Sequence, residues 1–121
     1  VINQNSNQAY GMTADQVPGV GTAGWEHGVF LSSGIYTVHI LGRKDPDAGV
    51  ASWALDGVNI GTNDWFSGTT TYNVIQTISN VTITGSGRHV FTLKPVTLKN
   101  PLSTNYAMRI TKVWFVPNMP F

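Results

Sequence analysis

Between Ile35 and Leu41 the chain alternates strictly, with Tyr36, Val38 and Ile40 at one parity and Thr37 and His39 at the other. A period of two built from β-branched and aromatic residues specifies a strand with one buried face, because successive side chains leave a strand on opposite sides. The same grammar runs through Gly34–Thr62 and again through Gly85–Lys94. Ser32-Ser33-Gly34 closes the strand ending at Val29, Phe30 and Leu31, and Arg43–Gly49 is a polar turn around Asp45-Pro46-Asp47. Trp53 and Leu55 share a face, and Asp56-Gly57 is a hairpin turn because glycine accepts positive φ.

Further on, Gly61–Tyr72 reads as a long polar loop, and Val74 to Ile83 as one long strand or two short ones. Arg88–Lys94 places His89, Phe91 and Leu93 on one face, with His89 expected at the core edge against a backbone partner. Lys94–Thr104 carries Pro95 and Pro101 and reads as a loop, and Tyr106–Val116 as a long final strand. No segment combines a helical period with capping residues. Short strands separated by glycine-rich turns predict an all-β, antiparallel jelly-roll β-sandwich spanning residues 25–121. Residues 1–24, rich in Asn, Gln and Gly, read as an extended arm or linker. The chain starts at Val1 and is expected to be a piece of something longer.

Composition narrows the function classes. Charged residues make up 11% of the 121, against about 25% in an average globular protein. Thr, Asn, Ser and Gly replace them, a surface common in extracellular and virion-surface β-domains. The seven Lys and Arg are scattered and the net charge is +1, so nucleic acid is not an expected partner. No apolar run is long enough to span a membrane as a helix. Cysteine is absent, which excludes disulfides, thiolate zinc sites and cysteine nucleophiles.

Gly34-x-Tyr36-x-Val38-x-Ile40, Trp53-x-Leu55-Asp56-Gly57 with Ile60-Gly61-Thr62, Gly87-x-His89-x-Phe91-x-Leu93 and Ile110-x-x-Val113-x-Phe115 together resemble the jelly roll of carbohydrate-binding modules of families 6 and 35. These belong to the galactose-binding-like sandwiches, and the resemblance covers roughly residues 26–117. It implies a sugar cleft among loops at one end of the sandwich, with Asn105 as the hydroxyl-binding amide before the last strand. It also implies a structural Ca²⁺, for which Glu26 is the acidic candidate.

A sugar ring has an apolar face and a rim of hydroxyls, so a flat aromatic beside amides and carboxylates suits it. On that chemistry Trp65 is the candidate platform, with Asn63, Asp64 and Tyr72 as polar partners and Trp25 as a second aromatic. The alternative is that Trp65 and Phe66 fold back to cap the sandwich. Trp53 is expected in the core. Trp114 is of opposite parity to Val113 and Phe115, so one of those faces is left for a partner or the N-terminal arm. Asp45 and Asp47 read as a solvated turn, since two carboxylates fall short of a calcium ligand set.

No Gly-x-Ser-x-Gly elbow, phosphate loop or metal-spaced histidine pair occurs, and no pair of carboxylates is singled out for glycoside hydrolysis. The expectation is a non-catalytic carbohydrate-binding module, extracellular, that attaches a larger protein to a polysaccharide or cell-surface glycan. The alternative is a structural or receptor-binding domain of a bacteriophage virion, a homo-oligomer such as a trimer formed through the terminal strand or the arm.

Overall fold

The structure is a computed structural model that describes residues 25–118. The expected arm over residues 1–24 lies outside the described residues.

Among the described residues seven strands form: β1 (Trp25–Leu31), β2 (Gly34–Lys44), β3 (Val50–Leu55), β4 (Val58–Asp64), β5 (Thr71–Ile83), β6 (Gly87–Leu93) and β7 (Arg109–Pro117). They make a four-stranded sheet in the order β1-β6-β3-β4 and a three-stranded sheet in the order β5-β2-β7. All pairs of adjacent strands are antiparallel. The all-β sandwich expected from the alternation is therefore the observed architecture.

The inward parity of each strand supplies the core. Tyr36, Val38 and Ile40 of β2 meet Ile110, Val113 and Phe115 of β7 and Ile78, Val81 and Ile83 of β5. Facing them are Val29 and Leu31, Ala51, Trp53 and Leu55, and Phe91 and Leu93 from the other sheet. An aromatic ladder ties the two layers together. Trp53 stacks on Phe91 with centroids 5.2 Å apart, Phe91 meets Phe115 edge-on at 5.3 Å, and Phe115 meets Tyr36 edge-on at 6.3 Å. Stacked and edge-to-face geometries are the ones the ring quadrupoles favour. The Asp56-Gly57 turn has φ values of 50° and 81°, the left-handed pair that a two-residue hairpin of this twist requires.

Three segments depart from the sequence reading. The expected Gly61–Tyr72 loop is shorter, because β4 runs to Asp64 with Asn63 opposite Ala51 and Asp64 opposite Val50. A polar edge strand carries no apolar alternation, so its pattern resembles a loop. β5 is one strand of 13 residues, with a register irregularity where Tyr36 and Val38 of β2 pair with Val81 and Ile78. The last strand begins at Arg109 rather than Tyr106, since Ala107 bridges Ala48 instead.

Candidate functional site

One of the expected site residues, Asn63, turns inward with Trp65. The Trp65 ring is fully buried, and its Nε1 donates to Asn63 Oδ1 at 2.7 Å. Trp53 Nε1 donates to the same oxygen at 3.1 Å, while Asn63 Nδ2 is buried without a partner. Trp65 is thus a cap on the sandwich and cannot act as an exposed platform. Room for it comes from Gly42: a Cβ there would lie 3.0 Å from the ring and 2.6 Å from the Arg109 carbonyl oxygen. Asp64 is also engaged locally, with Oδ1 accepting from the Phe66 N–H at 2.9 Å and its carbonyl accepting from Gln76 Nε2 at 2.7 Å.

The remaining candidates separate. Asn105 is half-buried in the loop before β7, where its carbonyl accepts from Ser103 Oγ at 2.9 Å. Trp25 opens β1 opposite Leu93, and its side chain lies outside the described residues. Tyr72 is 67% exposed, with the Arg43 guanidinium 5.6 Å from its ring centre.

Asp45 is not in a solvated turn. It is buried and accepts from Arg43 Nε at 2.8 Å, from an Arg109 guanidinium nitrogen at 3.0 Å and from Thr70 Oγ1 at 2.9 Å. Arg109 also forks onto Asp47 at 2.8 and 3.1 Å, and this hydrogen bonding holds the Asp47 carboxyl below the ordinary range. The cluster is a structural clamp at the loop end of the sandwich. Glu26 is exposed on β1, and among the described residues no three His, Asp or Glu side chains come together for a cation.

What stands open is the outer face of the sheet β5-β2-β7. His39 and Trp114 are cross-strand partners, and their rings stack 5.2 Å apart at 12°. Lys112 Nζ lies 5.5 Å from the Trp114 ring centre. Tyr72 with Arg43 stands nearer the loop end of the same sheet, and Ile75, Ile35 and Val116 are all substantially exposed. His39 and Arg43 are four residues apart on β2, about 13 Å at strand rise, so the two ring clusters sit a few sugar widths apart. The alternation placed His39 on the face opposite Tyr36, Val38 and Ile40, and left open whether Trp114 or the Val113 and Phe115 face of the last strand is core. It held no signal that β2 and β7 pair in the register that stacks them.

At the other end, a cleft of about 690 Å³ is lined by Ser33, Gly34, Ile35, Tyr36, Asn80, Pro117 and Asn118.

No protein-family model matches the chain, and no curated protein matches it. Solved structures do. A Paenibacillus xanthan lyase superposes with a TM-score of 0.71 at 22% identity, over 93% of this chain and 12% of the enzyme's. The CBM36-1 domain of a multidomain xylanase from the hindgut metagenome of Trinervitermes trinervoides gives a TM-score of 0.62 at 14% identity, over 95% of this chain and 94% of the domain. A family 35 carbohydrate-binding module from an environmental isolate gives 0.56 at 22% identity, over 100% and 86%. The chain therefore shares the jelly-roll sandwich of carbohydrate-binding modules and spans only 12% of the lyase. This agrees with the resemblance drawn from the strand motifs.

Proposed function

We propose that this domain is a non-catalytic glycan-binding module that attaches a larger extracellular protein to polysaccharide. The observation that carries the reading is the stacked His39–Trp114 pair on an open sheet face, with exposed Tyr72 on the same sheet. Flat rings held at fixed orientation present the apolar surface that a pyranose C–H face covers, and no ring has to reorganise to bind. Two of the solved structures sharing the fold are carbohydrate-binding modules by name.

The non-catalytic reading rests on how the titratable groups are used. Asp45 and Asp47 are held by arginine, and Asp56 is held by His89. Each carboxylate serves a turn or strand end, where a protonation cycle would break a structural bond.

Affinity electrophoresis through gels containing soluble polysaccharides tests the reading. Retardation of the wild type that is lost in Trp114→Ala and reduced in Tyr72→Ala is the expected result. Retardation unchanged in the double variant overturns the assignment of this face.

A further inference from the structure

Strict alternation cannot bury both Ile78 and Val81, which have opposite parity on β5, yet both are buried. A bulge reconciles them. Tyr36 and Val38 of β2 pair with Val81 and Ile78, so β5 carries one residue more than its partner over that step. Ser79 and Asn80 are both exposed as a result. Asn80 takes a φ of 58°, in the left-handed region that Asn tolerates better than most side chains. The next outward position, Thr82, is exposed and pairs with Ile35.

Asn80-Val81-Thr82 is also the one Asn-x-Ser/Thr tripeptide in the 121 residues. With a residue other than Pro in the middle, that pattern is the acceptor for N-linked glycosylation. A folded domain accommodates so bulky and hydrated a group only where the acceptor amide faces solvent, and the bulge turns Asn80 outward. Asn73 gives the contrast. It has a φ of 57° at the other irregular step of β5, but Val74 and Ile75 follow it and no hydroxyl stands two positions on.

The Asn80 amide is also uncommitted. Asn63 Oδ1 holds two indole N–H groups, Asn100 Oδ1 accepts from the Leu102 N–H, and Asn118 Oδ1 accepts from Thr37 Oγ1. The Asn80 side chain enters no hydrogen bond among the described residues. It borders the cleft of about 690 Å³, whose walls include Ile35 and Pro117. Ile35 is 48% exposed there, an apolar surface that the polypeptide leaves in water.

We propose, resting on the extracellular reading above, that Asn80 is a site of N-linked glycosylation and that its first sugar covers Ile35 and Pro117 in this cleft. The co-reactant is an oligosaccharide carried on a polyprenyl diphosphate, supplied by a membrane oligosaccharyltransferase during secretion. Asn80 Nδ2 bonds to the anomeric carbon and gives up one proton. The bond from that carbon to the diphosphate oxygen breaks, and the lipid diphosphate leaves with the electron pair. Transfer precedes folding, so the bulge decides whether the product folds with its sugar outside. Seating the apolar face of that sugar on Ile35 removes apolar area from water.

The test secretes the 121-residue chain from yeast behind a cleavable signal peptide and reads its intact mass before and after peptide N-glycosidase F. Most molecules are expected to carry one glycan, which the enzyme releases with a heavy-oxygen label at Asn80. Asn80→Gln and Thr82→Val are each expected to abolish it, and Thr82→Ser to retain part of it. Thr82→Val leaves Asn80 and its backbone intact, so its secretion without a glycan separates a lost acceptor from a failed fold. Trimming to the single sugar is expected to leave the urea midpoint above that of the unmodified chain made in bacteria, with Ile35→Ser removing the difference. A secreted wild type without a glycan overturns the proposal, as does a glycan that survives Thr82→Val. An equal or lower midpoint overturns the seating in the cleft. Polysaccharide retardation is measured on the bacterial chain, so its failure removes the glycan-binding role and leaves the Asn80 result to stand or fall alone.

Discussion

His89 Nδ1 lies 2.6 Å from Asp56 Oδ2, while its Nε2 lies 2.7 Å from the Gly85 carbonyl oxygen. Both ring nitrogens face acceptors, an arrangement that favours the doubly protonated imidazolium over the neutral ring. The other Asp56 oxygen accepts from the Val90 N–H at 2.8 Å. One ion pair thereby fastens the β3–β4 turn and the β5–β6 turn to the same end of the sandwich.

The pair makes stability depend on pH from both sides. Hydrogen bonding to Asp56 raises the His89 pKa above 6.5, so its contribution is full below that value and is lost as pH climbs through the raised one. Hydrogen bonding to His89 lowers the Asp56 pKa below 3.8, so its contribution is present above that value and is lost as pH falls through the lowered one. Urea midpoints are expected to be highest between about pH 4 and 6.5 and to fall towards pH 9. Asp56→Asn is expected to flatten the alkaline limb; an unchanged limb in that variant would assign the effect to other groups.

Asn63 is a polar pin in an apolar layer. Its Oδ1 takes indole protons from Trp53 and Trp65. Asn63→Leu leaves the buried Trp65 N–H without an acceptor, at a cost of about 1–3 kcal/mol. Urea denaturation with an unchanged m-value would measure the loss as stability alone.

Asp45 anchors two arginines and a threonine from one buried carboxylate. Asp45→Ala is expected to cost about 3 kcal/mol, the low end for a broken buried pair because Arg109 keeps Asp47. Differential scanning calorimetry checks this, and the double variant with Asp47→Ala should lose more than the sum of the singles, because only then does Arg109 lose both carboxylates.

Two tryptophans should separate fold from binding. Trp65→Ala removes a fully buried ring and is expected to destabilise by about 3–5 kcal/mol. Trp114→Ala removes a half-exposed ring from the outer face and is expected to leave the urea midpoint close to wild type while abolishing polysaccharide retardation. The reverse pattern would exchange their roles.

Much of the scaffold was legible because a strand's two faces are written in its own residues. Tyr36, Val38 and Ile40, and Phe91 and Leu93, are inward as their parity demands, and the expected placement of His89 at the core edge holds, with Gly85 as its backbone partner. The site was less legible. Polar Asn63 and Asp64 resembled loop residues, although backbone pairing with β3 makes them strand. The sequence left Trp65 open between platform and cap, because the space beneath it comes from Gly42, more than twenty residues away in the chain.

Strand parity and turn chemistry, both local properties, determined by themselves that the chain forms an antiparallel sandwich and which side of each strand faces in. Tertiary structure alone decided that His39 meets Trp114, that Arg43 comes to Tyr72, and that Asp45 is buried between two arginines. Those outcomes depend on sheet order and cross-strand register, which are set by the packing of the whole core and carry no signature in any single segment.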